Sequence, residues 1–229
     1  IRHCGLLVSQ RFISSWKVLM NMPTATCSLL PMTGKVPSSV DHASPHQLVR
    51  QVALTLFSEL GFHNVSLRKL ASALGMQPGS LYHHIEGKQE LLFELIDEYE
   101  TDLLDAIKID LPTGGSPDHK LSAYIHSYFS FNASNLQRCS IAQLEFRNLN
   151  QNQQKVIEAT RAEYASLLDG IIQYGIRTQS FSPIFPQAIT HLILSMLTEM
   201  SKQAKSSAAL TFEDATALLQ EAALRILHT

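Results

Sequence analysis

Apolar residues along most of this chain return at steps of three and four, the spacing that places them on one face of a helix. Val49, Ala53, Leu56, Phe57 and Leu60 make the first such face, within a helix predicted over 45–60, and Gly61 stands where helices are commonly closed. Ser66 is placed as the N-cap of a second helix with its apolar face at Leu67, Leu70, Ala71 and Leu74, and Gly75 supplies the turn after it. Gln77-Pro78 opens a third helix, since proline suits a first turn, and this helix runs to about His84 or Ile85. A fourth is predicted from Lys88 to about Ile109, with Leu91, Leu92, Leu95, Ile96 and Tyr99 apolar. The run "LPTGGSPD", Leu111 to Asp118, holds two Pro and two Gly in eight residues and reads as a linker. Beyond it, helices are predicted at roughly 118–134, 139–149, 151–174, 184–205 and 212–228. No stretch shows sustained alternation with β-branched residues, so the predicted fold class is all-α, without a sheet.

The second and third helices are too short to be stable alone and need the first to cover their apolar faces. Three helices with a tight glycine turn between the last two form a helix-turn-helix, in which one helix crosses the DNA backbone and the next lies in the major groove. The third helix carries groups suited to that task. Gln77, Pro78, Gly79 and Ser80 are small or hydrogen-bonding at its beginning, and Tyr82, His83 and His84 follow. Tyr82 can donate to a phosphate, or serve only as a core aromatic. His83 and His84 are adjacent on a helix and point apart, which disfavours chelation. Ser66 and Arg68 on the second helix and Lys88 at the start of the fourth complete the candidate DNA-binding set. Ser66 is also a structural cap, and Arg68 with Lys69 also reads as a solvated face.

Composition adds limits. The chain has 229 residues, a formal net charge of −2 and 45% hydrophobic residues, consistent with a small module joined to a larger one. The balance does not announce a nucleic-acid binder, although local charge matters more than the total. Cys4, Cys27 and Cys139 are widely spaced and suggest neither a disulfide framework nor a zinc site; Cys139 reads as a buried small apolar residue. No apolar run reaches the roughly 18 residues that span a membrane. Residues 1–44 are expected to be a disordered leader, a transit peptide or read-through sequence, because 1–40 hold no Asp or Glu. The expected organisation is 1–44 leader, 45–92 helix-turn-helix and 93–229 a helical bundle, to which the resemblance described next assigns ligand binding and dimerisation. No GxSxG, HExxH, P-loop or dinucleotide fingerprint supports an enzyme, and no catalytic residue, metal or cofactor is expected. A helical adaptor that no longer reads DNA is the remaining alternative.

The segment "SLRKLASALGMQPGSLYHHIEGKQELL", Ser66 to Leu92, resembles the DNA-binding motif of the tetracycline-repressor (TetR/AcrR) family of bacterial transcription regulators. The matching positions are Ser66, Leu70, Ala71, Gly75, Ser80, Leu81, Tyr82, His84, Lys88 and Leu91, with Phe57, Gly61 and Phe62 upstream. Gln77 replaces the usual Ser or Thr cap, and Ile85 the usual Phe. The resemblance implies a cytoplasmic homodimer that binds a palindromic operator in double-stranded DNA and is released by a small-molecule effector. It implies a ligand cavity among the middle helices, where Tyr128, Phe131, Asn132, Phe146, Arg147, Arg161 and Tyr164 supply aromatic walls and polar handles. An ordinary aromatic core is the alternative for each. It also implies a dimer interface along the last two helices, at Ile189, Leu192, Ile193, Met196, Leu197 and Met200 and at Leu218, Leu219 and Ala222.

A second resemblance covers Leu144 to Phe181. Glu145, Arg147, Leu149, Arg161, Tyr164, Gly175 and Phe181 match the pattern of family members that respond to acyl-CoA thioesters, while the usual second glycine before the Phe is replaced. It implies an acyl-CoA as effector, with Arg147 or Arg161 as partners for a phosphate or thioester oxygen.

Overall fold

The computed structural model describes residues 44–203 and 211–228, apart from the side chains of 187, 202 and 203. The leader expected over 1–44 lies outside these residues except for Ser44, as does the end of the helix expected to reach 205. The described residues are all-α. The helices are α1 (Pro45–Leu60), α2 (Leu67–Ala73), α3 (Pro78–Leu81), α4 (Lys88–Asp110), α5 (Pro117–Ser134), α6 (Leu136–Leu144), α7 (Gln151–Arg177), α8 (Pro186–Gln203) and α9 (Phe212–Leu227). Two short 3₁₀ turns, Phe62–Asn64 and Phe146–Asn148, follow α1 and α6.

Local chemistry sets the ends. Ser44 and Gln47 form a reciprocal capping box at the start of α1, Asn150 and Gln153 do so for α7, and Thr211 and Asp214 for α9. Ser66 Oγ accepts the Lys69 N–H at 3.2 Å and caps α2. That helix closes on Gly75, whose φ of +66° is left-handed. The Gly75 N–H donates to Ser72 O and the Met76 N–H to Ala71 O, so the outgoing carbonyls are satisfied and the chain turns sharply into α3.

Two boundaries differ from expectation. The helix expected over 139–149 begins at Leu136 and ends at Leu144, with the 3₁₀ turn after it. Its N-cap, Asn135, makes no side-chain capping bond, and this one residue separates it from α5 with no Gly or Pro to mark the break. The third helix is α-helical over only Pro78–Leu81, and continues to Ile85 as hydrogen-bonded turns. Gln77 gives it no side-chain cap, as its replacement of Ser or Thr suggests.

The first three helices pack on one small core. Val49, Ala53 and Phe57 of α1, Leu70 and Ala71 of α2, and Leu81 and Ile85 after it are buried together with Leu91 and Leu92 of α4. Ile85 fills a buried site despite being smaller than Phe. Helix α4 then runs on through the division expected at 92/93 and packs against α5, α6 and α7. Helix α1 packs on α6, so the small module also touches the bundle directly. Helices α8 and α9 close the bundle, α8 on α5, α6 and α7, and α9 on α5 and α8.

Candidate nucleic-acid interface and regulatory core

The third helix divides cleanly by face. Leu81 and Ile85 are inside, while Gln77, Pro78, Gly79, Ser80, Tyr82 and His83 are exposed. Tyr82 leaves 60% of its surface open, large for an aromatic side chain. His84 is half-buried, and Ser66 and Arg68 are exposed on the neighbouring end of α2. Hydroxyl, amide and imidazole groups therefore share one outward surface, and no other described element of the chain covers Tyr82.

Lys88 has a different setting from the one expected. Its ammonium donates to the carbonyls of Phe62 and Val65, both at 2.9 Å, and stands 4.0 Å from the centre of the Phe62 ring. Burial lowers its pKa, and the charge of Glu145 opposes that shift. The group that was expected to reach a phosphate thus ties the start of α4 to the turn after α1.

The middle of the bundle holds a buried polar cluster centred on Glu100. This residue is only 1% exposed and stands on the apolar face of α4. Arg161 Nε and Nη2 donate to its Oε1 at 2.8 and 2.6 Å, and the Tyr164 hydroxyl donates to Oε2 at 3.4 Å. Arg161 Nη2 also donates to Ala142 O at 2.9 Å, and its guanidinium lies 4.5 Å from the Phe146 ring centre. Burial raises the Glu100 pKa, and Arg161 pulls it back. Sequence reasoning missed Glu100, although an acid in register with Leu92, Ile96, Leu103 and Ile107 on one helix face was a readable signal.

Tyrosines surround this pair. Tyr99 donates to Asn132 Oδ1, Tyr124 donates to Tyr164 O at 2.9 Å, and the Tyr128 hydroxyl meets Thr198 Oγ1 at 2.9 Å. Burial pushes the hydroxyls of Tyr99, Tyr124 and Tyr164 up and that of Tyr128 to about 12, so all four remain neutral donors near pH 7. Asn132 Nδ2 is buried with no acceptor among the described residues. Of the expected ligand residues, Tyr128, Asn132, Arg161 and Tyr164 come together here, with the half-buried Phe131 beside Tyr99 and Phe146 beside Arg161. Arg147 does not join them. It is exposed on the 3₁₀ turn after α6, because that turn directs it away from the bundle interior.

The expected interface along α8 and α9 also needs correction. Ile189, Ile193 and Leu197 of α8 and Leu219 of α9 are buried in the chain's own core, so a partner cannot reach them. Both helices are apolar on two faces. The inner face of α8 goes to α5, α6 and α7 and that of α9 to α5, while the outer faces leave Leu192 and Leu218 exposed, with Met196, Met200 and Ala222 half-buried.

Comparison with known proteins gives this arrangement a family. Residues 49–95 match the description "Bacterial regulatory proteins, tetR family", and residues 114–202 match "Tetracyclin repressor-like, C-terminal domain". A "Fatty acid metabolism regulator protein" of Bacillus subtilis is 26% identical over 126 residues, 55% of this chain and 65% of that protein. The "HTH-type transcriptional repressor KstR2" of Rhodococcus jostii is 29% identical over 132 residues, 57% of this chain and 64% of that protein. The matched stretches thus span slightly less than two thirds of the length of both relatives. A solved structure described as "AibR in complex with isovaleryl coenzyme A and operator DNA" superposes with a TM-score of 0.69 at 20% identity, covering 80% of this chain and 97% of that one. With both halves matched, the chain belongs to the tetR family of bacterial regulatory proteins.

Proposed function

We propose that this protein is a ligand-responsive transcription regulator, a repressor that leaves its operator when a small molecule binds the bundle. The observation that carries this reading is the outward face of α3, where Gln77, Ser80, Tyr82 and His83 are exposed over a core anchored by Leu81 and Ile85. Ser66 and Arg68 flank that face, and His84 lies at its edge. Lys88 serves instead to hold the reader onto α4. Membership of the tetR family supports the reading, as do relatives named a fatty acid metabolism regulator and a transcriptional repressor. Such a protein acts in the cytoplasm and does its work without catalysis.

The active form in this reading is a homodimer joined through the outer faces of α8 and α9, with Leu192, Met196, Met200, Leu218 and Ala222 as the seam. Two α3 helices about 34–36 Å apart then enter successive major grooves of a palindrome. The effector is a thioester of coenzyme A, as bound in the AibR structure. Tyr128 and Asn132 offer donors for its carbonyl, and Phe131 and Phe146 offer apolar wall. The ligand shifts the protein only by its difference in affinity for the two states.

A gel shift with the DNA flanking the protein's own gene tests the reading. We expect binding by the wild type and a loss of roughly 5- to 100-fold with Tyr82→Ala, the equivalent of about 1–3 kcal/mol for one good contact. Unchanged binding by that variant would remove α3 from the groove. Thermal shift with acyl-CoAs against the free acids tests the effector class, and stabilisation by none of them removes it.

A further inference from the structure

The Glu145-x-Arg147-x-Leu149 signature meets the cluster around Glu100 through Phe146, which packs on Arg161, and the Glu145 carboxylate makes a separate set of bonds. The signature lies on the 3₁₀ turn after α6, against the turn that follows α1. Glu145 is 9% exposed. Its Oε1 accepts the Phe62 N–H at 3.1 Å in a buried bond that links residues 83 positions apart. Its Oε2 accepts from Asn148 Nδ2 at 2.5 Å, and Asn148 Oδ1 meets His63 Nε2 at 2.7 Å. The same small region receives α4, because Lys88 donates to Phe62 O and Val65 O.

A backbone N–H at the first position of a 3₁₀ turn has no partner within the turn. Here the missing acceptor comes from the regulatory half, as a charged group. Gly61 precedes it with a φ of +80°, a left-handed geometry suited to glycine that aims the Phe62 N–H at the carboxylate. The turn leads through Val65 straight to Ser66, the cap of α2.

We propose that Glu145 is a positioning residue that couples the two halves, its carboxylate setting the pose of the reader through the Phe62 N–H. The first residue of the signature that resemblance ties to effector response then acts at a mechanical joint. This rests on the regulator reading for its purpose, and its geometry is independent of it. Coupling between sites is reciprocal, so DNA at the reader must be felt at 145–153 as effector is felt at the reader.

Hydrogen exchange on the full chain tests this with that same flanking DNA as the probe. In the free protein, Glu145→Ala should speed exchange at the Phe62 amide by about tenfold or more, since bonds to charged groups are the stronger ones. Protection in α5 and in the middle of α7 should stay unchanged. Glu145→Gln, whose amide oxygen still accepts, should restore most of the protection. In the wild type, DNA should slow exchange both in the reader and at 145–153; in Glu145→Ala the first effect should remain and the second vanish. Transmission equal to wild type in Glu145→Ala, or none in the wild type, overturns the proposal. Absence of DNA binding by the wild type sinks the regulator reading instead. The joint is then decided by the free protein, where unchanged Phe62 exchange in Glu145→Ala overturns it and the tenfold rise supports it.

Discussion

The ring of Phe181 lies so close to the α-carbon of Gly175 that a methyl group there would stand 2.0 Å from Phe181 Cδ2. Gly175 is buried near the end of α7, and Phe181 folds back onto it after the helix has closed. This contact gives the glycine and the later phenylalanine of the acyl-CoA-type pattern a physical reason to occur together. Gly175→Ala should destabilise the protein by about 1–3 kcal/mol, because a rigid ring must move, and overpacking of this kind outweighs the roughly 1 kcal/mol gained in helix propensity. Chemical denaturation of Gly175→Ala alone and with Phe181→Leu checks this. The double variant should recover much of the loss.

Between those two residues, Gln179 has a φ of +59° and is the non-glycine residue with positive φ among the described residues. The Ser180 N–H donates to Gly175 O and the Gln179 N–H to Ile176 O, the bonding that ends α7 with a left-handed residue. Gln179 therefore occupies a conformation that glycine adopts more readily. Gln179→Gly should stabilise by about 0.5–1 kcal/mol, the left-handed cost less the added freedom of the unfolded chain. A thermal melt should show a rise of roughly 1–4 °C, while no rise would contradict this account.

Arg161 neutralises an acid that has almost no access to water. Arg161→Met should cost about 3–5 kcal/mol near neutral pH, since it leaves Glu100 buried and unpaired. The deficit should depend on pH. Burial already raises the Glu100 pKa, and removing Arg161 removes the pull in the other direction. A carboxyl with a raised folded pKa contributes its full stability below the unfolded value and loses it as pH rises through the folded one. Urea denaturation should therefore find a smaller deficit at about pH 5 than at about pH 8. An equal deficit at both would mean that Glu100 is not the group responsible.

Lys88 and Tyr82 should separate when stability and DNA affinity are measured together across a salt titration. Lys88→Met removes a cation already committed to two carbonyls. It should cost about 1–3 kcal/mol of stability and leave the salt slope of binding unchanged. A phosphate-binding lysine would instead lower that slope by about 1. Tyr82→Ala should instead weaken DNA binding equally at every salt concentration, because a neutral hydroxyl displaces no counterion, with stability held within about 0.5 kcal/mol because the side chain is so exposed.

Much of the fold was legible because the punctuation is local. Gly61, Ser66, Gly75 and Pro78 each act within a few residues of their own position, and the end of α1, both ends of α2 and the start of α3 fall where they point. The start of α6 was missed because one residue, Asn135, separates it from α5, with no Gly or Pro to mark the break. The site was less legible because its partners are distant in sequence. Nothing near Lys88 says that its ammonium will find carbonyls 23 and 26 residues away. Nothing near Glu145 reveals Phe62. The periodicity of α8 and α9 showed that they are apolar, but a helix with two apolar faces gives one pattern, and only packing separates Ile193, turned inward, from Leu192, turned outward.

Glu100 and Lys88 sit on one uninterrupted helix, twelve residues apart, or about 18 Å at 1.5 Å per residue. The acid is gripped from α7 at one end of that span, and the ammonium grips the turn between α1 and α2 at the other. In the regulator proposed above, such a rod would be a lever with its fulcrum among the tyrosines. A tilt of 5° there displaces the far end by about 1.6 Å, more than half the length of a hydrogen bond. Contacts to base edges, which need placement finer than that, would be lost at the far end while the fulcrum itself had barely stirred.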